Sequence, residues 1–64
     1  MEASAGKLSY TVEELAAATG IGRTRLFEAI KLGRLRARKN GRTTIVLTED
    51  AREFLTALPP RQAA

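Results

Sequence analysis

Residues Thr11 to Gly33 read TVEELAAATGIGRTRLFEAIKLG, and this stretch decides the fold. Thr11 can cap the amide of Glu14 while the Glu14 carboxylate reaches back to the Thr11 amide, the reciprocal arrangement of a capping box. Tyr10 before the cap and Leu15 inside the helix are placed as a hydrophobic staple, and Val12, Leu15, Ala16 and Thr19 recur on one face. The spacing predicts a helix over Val12–Ala18, ended by the permissive backbone of Gly20, with Ile21 plugging the corner of a tight turn. A second helix follows Gly22 and runs from Arg23 to Leu32, up to Gly33. Leu26, Ile30 and Ala29 face inward with Phe27 on the flank, whereas Thr24, Glu28 and Lys31 share the outward face with Arg25 beside them. Two helices joined by a turn of about four residues, the second polar on its outer side, make a helix-turn-helix.

Outward from this pair, Leu35–Lys39 and Arg42–Leu47 are two β-prone segments around Asn40-Gly41. Asn-Gly between such segments predicts a hairpin with a type I′ turn, in which both central residues take positive φ. In that register Leu35, Ala37, Thr44 and Val46 line one face, and Arg36, Arg38, Thr43 and Ile45 the other. Lys39 and Arg42 then flank the turn, giving a cationic tip. A third helix starts with Thr48 as cap and Glu49 and Asp50 in its first turn, buries a stripe of Ala51, Phe54, Leu55 and Leu58, and stops at Pro59-Pro60. Leu26, Ile30, Phe54 and Leu55 are the expected core. The expected fold class is α+β: three helices with a two-stranded antiparallel hairpin over residues 8–58, between flexible tails at 1–7 and 59–64.

The chain has 64 residues, room for one small domain, and eleven of its hydrophobic residues are alanine, so the core must be thin. Cysteine and histidine are both absent, which excludes a disulfide framework, a thiolate nucleophile and the usual zinc-ligand patterns. Glu13, Glu14, Glu49 and Asp50 stand at helix starts, where capping and helix-dipole roles account for them. Gly20-Ile21-Gly22 lacks the lysine and the spacing of a phosphate-binding loop. No catalytic residue, metal site or cofactor is expected. The sequence holds no apolar run long enough for a transmembrane helix or a signal peptide, so a soluble cytoplasmic protein with no membrane partner is expected.

Net charge is +4, but it is unevenly placed. From Arg23 to Arg42 there are eight cations and one acid, a net of +7, against −3 for the remainder. Such a block is suited to a polyanion. On the second helix Arg23, Thr24, Arg25, Glu28 and Lys31 are candidates for the major groove, where arginine and lysine read guanine edges and glutamate accepts from cytosine. Arg34, Arg36, Arg38, Lys39 and Arg42 form a ribbon that could follow phosphates or place an arginine in a narrow minor groove. The bland alternative is a solvated helix face and a hairpin whose charges discourage edge pairing. The continuity of the cations from helix to hairpin favours nucleic acid.

Several runs together carry a resemblance: Thr11-Val12-Glu13-Glu14-Leu15-Ala16, Thr19-Gly20-Ile21-Gly22-Arg23-Thr24-Arg25-Leu26-Phe27, Lys31-Leu32-Gly33-Arg34-Leu35, Asn40-Gly41-Arg42, and Thr48-Glu49-Asp50-Ala51-Arg52-Glu53-Phe54-Leu55. Over nearly all of residues 8–58 the chain resembles the compact winged helix-turn-helix of the excisionase family, related to the DNA-binding head of MerR-type regulators. The resemblance implies that the second helix enters the major groove, that the Asn40-Gly41-Arg42 wing touches the adjacent minor groove, and that the last helix packs beneath. It departs from the family pattern at Gly22, where a serine or aspartate usually caps the recognition helix, so a weaker cap is expected. Stand-alone members are typically recombination directionality factors, which bind and bend DNA beside an attachment site of a prophage or mobile element and help an integrase to excise it. The implied partners are double-stranded DNA, a site-specific integrase and further copies of the chain, assembled head-to-tail on DNA. No small-molecule ligand is implied. The short length argues against the dimerisation helix and effector domain of a MerR-type regulator. A small transcriptional regulator of the same fold, or a basic module for an acidic protein partner, are the rival expectations.

Overall fold

The computed structural model describes residues 7–61; the tail segments at 1–6 and 62–64 lie outside the described residues. Its elements are β1 (Ser9–Thr11), α1 (Val12–Thr19), α2 (Arg23–Lys31), β2 (Arg38–Asn40), β3 (Thr43–Leu47) and α3 (Thr48–Ala57). The fold is α+β with three helices, but the antiparallel sheet has three strands, in the order β1-β3-β2, rather than the expected two. The added strand β1 pairs with the far edge of β3, with Tyr10 opposite Val46 and Thr11 opposite Ile45.

The capping box forms: the Thr11 amide donates to Glu14 Oε1 at 2.9 Å and the Glu14 amide donates to Thr11 Oγ1 at 3.0 Å. Gly20 ends α1 at φ 79°, a left-handed conformation that glycine takes without steric cost. Thr19, expected only as part of the apolar face, latches the turn into α2. Its hydroxyl donates to the Leu15 carbonyl at 2.8 Å and accepts the Ile21 amide at 3.1 Å.

At the other end of α2, Gly33 at φ 80° turns the chain back. The Gly33 amide donates to the Ile30 carbonyl and the Arg34 amide to the Ala29 carbonyl, the paired bonds of a Schellman motif. The Leu35 amide also reaches the Ala29 carbonyl, and this fold-back drives the Leu35 side chain into the core. Leu35 is therefore buried from a loop, ahead of the strand in which it was expected.

The hairpin also differs in register. Arg38 pairs with Ile45, Lys39 with Thr44 and Asn40 with Thr43, so the two loop residues are Gly41 and Arg42. Only Gly41 has positive φ, at 64°; Asn40 does not. That sign pattern belongs to a type II′ turn, which needs one left-handed residue where type I′ needs two, and glycine fills it more cheaply than asparagine. Because the slip is by two residues, the paired side chains keep their expected faces, while Arg36 and Ala37, expected in the strand, precede β2. Val46 still points into the core. Asn40 and Thr43 now flank the turn, replacing Lys39 and Arg42 in that position.

The core consists of Val12, Leu15, Leu26, Ala29, Leu35, Val46 and Ala51, with Tyr10, Ile21, Ile30 and Phe54 packed half-buried against it. Ile30 and Phe54 are thus at its margin. Leu55 and Leu58, expected in the buried stripe of α3, remain 38% and 43% exposed. Leu55 borders a groove against α1 whose far wall includes the small residues Ala18 and Thr19, and Leu58 borders a second groove with Ile21 and Leu32 of the α2 side. The short side chains opposite leave Leu55 only partly covered, and Leu58, which follows the last residue of α3, lies at the open edge of its groove.

Thr48 is not the helix cap. β3 passes into α3 with no intervening loop, so Leu47 occupies the cap position and the Thr48 hydroxyl is used elsewhere. It donates to the Lys7 carbonyl at 2.8 Å, while its amide donates to the Leu8 carbonyl at 2.9 Å. These bonds strap the chain before β1 onto the start of α3. Lys7, expected in the flexible tail, is accordingly held: its ammonium lies 3.4 Å from Glu14 Oε2 and 5.0 Å from the centre of the Tyr10 ring.

Candidate nucleic-acid interface

All eleven residues expected to meet DNA have exposed side chains: Arg23, Thr24, Arg25, Glu28, Lys31, Arg34, Arg36, Arg38, Lys39, Asn40 and Arg42. On α2 the reason is the amphipathic pattern. Leu26 and Ala29 are buried, Ile30 is half-buried, and the 3.6-residue repeat then turns Thr24, Glu28 and Lys31 to solvent. Gly22 supplies no side-chain cap and the first turn of α2 holds no acid. The positive end of the helix dipole therefore coincides with Arg23 and Arg25, a locally unfavourable arrangement that any nearby negative charge relieves.

The hairpin distributes its charges by register. Arg38 and Asn40 lie opposite Ile45 and Thr43, on the sheet face away from Val46. Lys39 lies opposite Thr44 on the other face, and Arg42 is in the loop itself, at the tip. Arg34 belongs to the Schellman turn between α2 and the hairpin, and with Arg25, Glu28 and Phe54 it lines the groove between α2 and α3.

One candidate has a fixed partner. Arg23 Nε donates to Glu13 Oε2 at 2.9 Å, and the Arg23 guanidinium carbon stands 5.1 Å from the centre of the Phe27 ring. The other cations from Arg25 to Arg42 make no ion pair with another described residue. Glu13 was expected to serve α1 as a dipole partner, and it does stand in the first turn of α1. Hydrogen bonding to its own backbone amide and then to Arg23 holds its carboxyl below the usual carboxylate range, so it is ionised at neutral pH. Glu13 is a missed member of this surface. Its contact joins α1 to α2, and no helical periodicity links positions so far apart in sequence.

Among the described residues no group of three or more acidic, histidine or cysteine side chains is placed to hold a metal ion, and no helix is long and apolar enough to cross a membrane. No protein-family model, curated protein or solved structure matches this chain.

Proposed function

We propose that this chain is a winged helix-turn-helix protein that binds DNA in a sequence-specific manner and acts as an excisionase, or recombination directionality factor. In this reading α2 lies in the major groove, presenting Arg23, Thr24, Arg25, Glu28 and Lys31 to base edges, and the β2–β3 hairpin is the wing. Arg42 at its tip and Asn40 beside it approach the phosphate-lined edge of the neighbouring minor groove, while Arg34, Arg36, Arg38 and Lys39 contact phosphates nearer the major groove. The observation that carries the reading is the net +7 between Arg23 and Arg42, every charged side chain of which is exposed along α2, the hairpin and the segment that joins them. A mixed, solvated surface would not concentrate one sign in this way.

The biological role rests on the resemblance to excisionases. Bound beside an attachment site, copies of the chain would line up head-to-tail, bend the DNA and bring a site-specific integrase to excise a prophage or mobile element, in the bacterial cytoplasm at the nucleoid. Genomic fragments selected by the protein and then footprinted test this directly. Protection of tandem sites, DNA bending and integrase-dependent excision are the expected results. A single operator overlapping a promoter, with no effect on recombination, would instead make the protein a transcriptional regulator of the same fold. Absence of duplex binding at low salt would leave the basic surface for an acidic protein partner.

A further inference from the structure

A role for Arg23 as one more cation requires nothing of Glu13 or Phe27, yet the guanidinium is held between them. Its Nε, 2.9 Å from Glu13 Oε2, is bonded side-on, and the carbon of the group lies 5.1 Å from the centre of the Phe27 ring. A guanidinium carries one N–H on Nε and four on its two Nη atoms. The bond to Glu13 thus uses the Nε, and no hydrogen bond among the described residues engages the Nη pair. Those Nη donors match a pair of acceptors such as O6 and N7 of guanine. An unrestrained arginine must be ordered on binding, whereas one with a carboxylate and a ring beside it has less freedom to lose.

If Glu13 only neutralised Arg23, it would weaken attraction to every DNA equally. Support and neutralisation therefore predict different things: support affects discrimination between sequences, and neutralisation affects overall attraction. The side-on geometry favours support, because a carboxylate occupying the Nη pair would have blocked the donors needed for a base.

We propose that Glu13 is a positioning residue for DNA recognition, fixing Arg23 through Nε so that its Nη pair meets a base edge and raises selectivity among DNA sequences. The proposal rests on the DNA-binding reading above. Its test compares binding of two duplexes of equal length, one selected by the wild-type protein from a random pool and one unrelated.

Glu13→Ala is expected to reduce the ratio of selected to unrelated affinity about tenfold, with binding to the unrelated duplex unchanged or slightly tighter. Glu13→Gln removes the charge but keeps an acceptor, so its ratio falls between wild type and Glu13→Ala. Arg23→Lys keeps the charge but has no Nη pair, and in its background Glu13→Ala has no further effect on the ratio. Thermal unfolding of each variant confirms that the fold persists.

Equal tightening on both duplexes, with Gln and Ala variants alike, would mean that Glu13 merely masks charge and would overturn the proposal. So would equal weakening on both duplexes, or additive effects in the double variant. A wild-type protein that binds no duplex would overturn the DNA-binding reading and this proposal together; selective wild-type binding with an unchanged ratio in Glu13→Ala overturns the proposal alone.

Discussion

Gly41 and Asn40 divide the work of the hairpin turn in a way that substitutions can resolve. Gly41 alone is left-handed, at φ 64°, and Asn40 lies in the paired strand opposite Thr43. Gly41→Ala should therefore destabilise the domain by about 1–2 kcal/mol, the cost of forcing an L-residue into that region, while Asn40→Ala should change stability by less than about 0.5 kcal/mol. Urea denaturation of the two variants measures both; similar losses would mean a turn with two left-handed residues. Glu14 supplies a pH-dependent counterpart. Hydrogen bonds from the Thr11 amide and from Lys7 hold its carboxyl below the usual carboxylate range, and Glu13 is lowered as well. A carboxylate whose pKa is lower folded than unfolded stabilises the fold above its unfolded value, about 4.3 for glutamate, and the gain is lost as pH falls through the folded value. Thermal stability should accordingly decline on acidification below about pH 5. Glu14→Gln should lower stability at neutral pH and make that decline shallower, as read from melting temperatures across the acid range.

Among the elements, α1 and α2 were legible in the sequence because each is marked by local chemistry: a capping box at Thr11 and Glu14, glycines at positions 20 and 33, and an apolar repeat between them. β1 was not. At three residues it is too short to show alternation, and it exists because β3 offers an edge and because Thr48 bonds to the chain at Lys7 and Leu8, contacts that no local pattern encodes. The end of α3 misled for a related reason. A periodic stripe says which side of a helix is apolar, but how far it is covered depends on the side chains opposite, and here those include Ala18 and Thr19. The resulting gradient is measurable. Leu26, with no solvent exposure, should cost about 2–5 kcal/mol when replaced by alanine, a large share of the stability of so small a domain. Leu58→Ala, at a position 43% exposed, should cost under about 1 kcal/mol. Equal losses would mean that Leu58 is covered as fully as Leu26.

Across the described residues, the thin core and the charge imbalance have one organisation: the seven buried apolar residues come from all three helices, from β3 and from the loop at Leu35, and the cations project from α2, the hairpin and the segment between them. The candidate cations were legible by counting charges along the chain, since an exposed face needs only its residues to be named. The bracing of Arg23 was not, because it requires knowing that α1 and α2 meet. The collective property of this surface is its response to salt. A protein that neutralises four or five backbone phosphates should show log K falling against log salt with a slope of about −4, from the release of condensed counterions. Arg42→Ala, at the hairpin tip, should weaken binding to all duplexes alike and make that slope shallower by about one. Glu28→Ala, on the outward face of α2, should change which bases are preferred and leave the slope nearly intact, since a carboxylate neutralises no phosphate. Fluorescence anisotropy between about 50 and 200 mM salt separates these behaviours. Identical effects of the two substitutions would refute the division between reading helix and wing, and a flat salt dependence for the unsubstituted protein would be incompatible with a surface built for DNA.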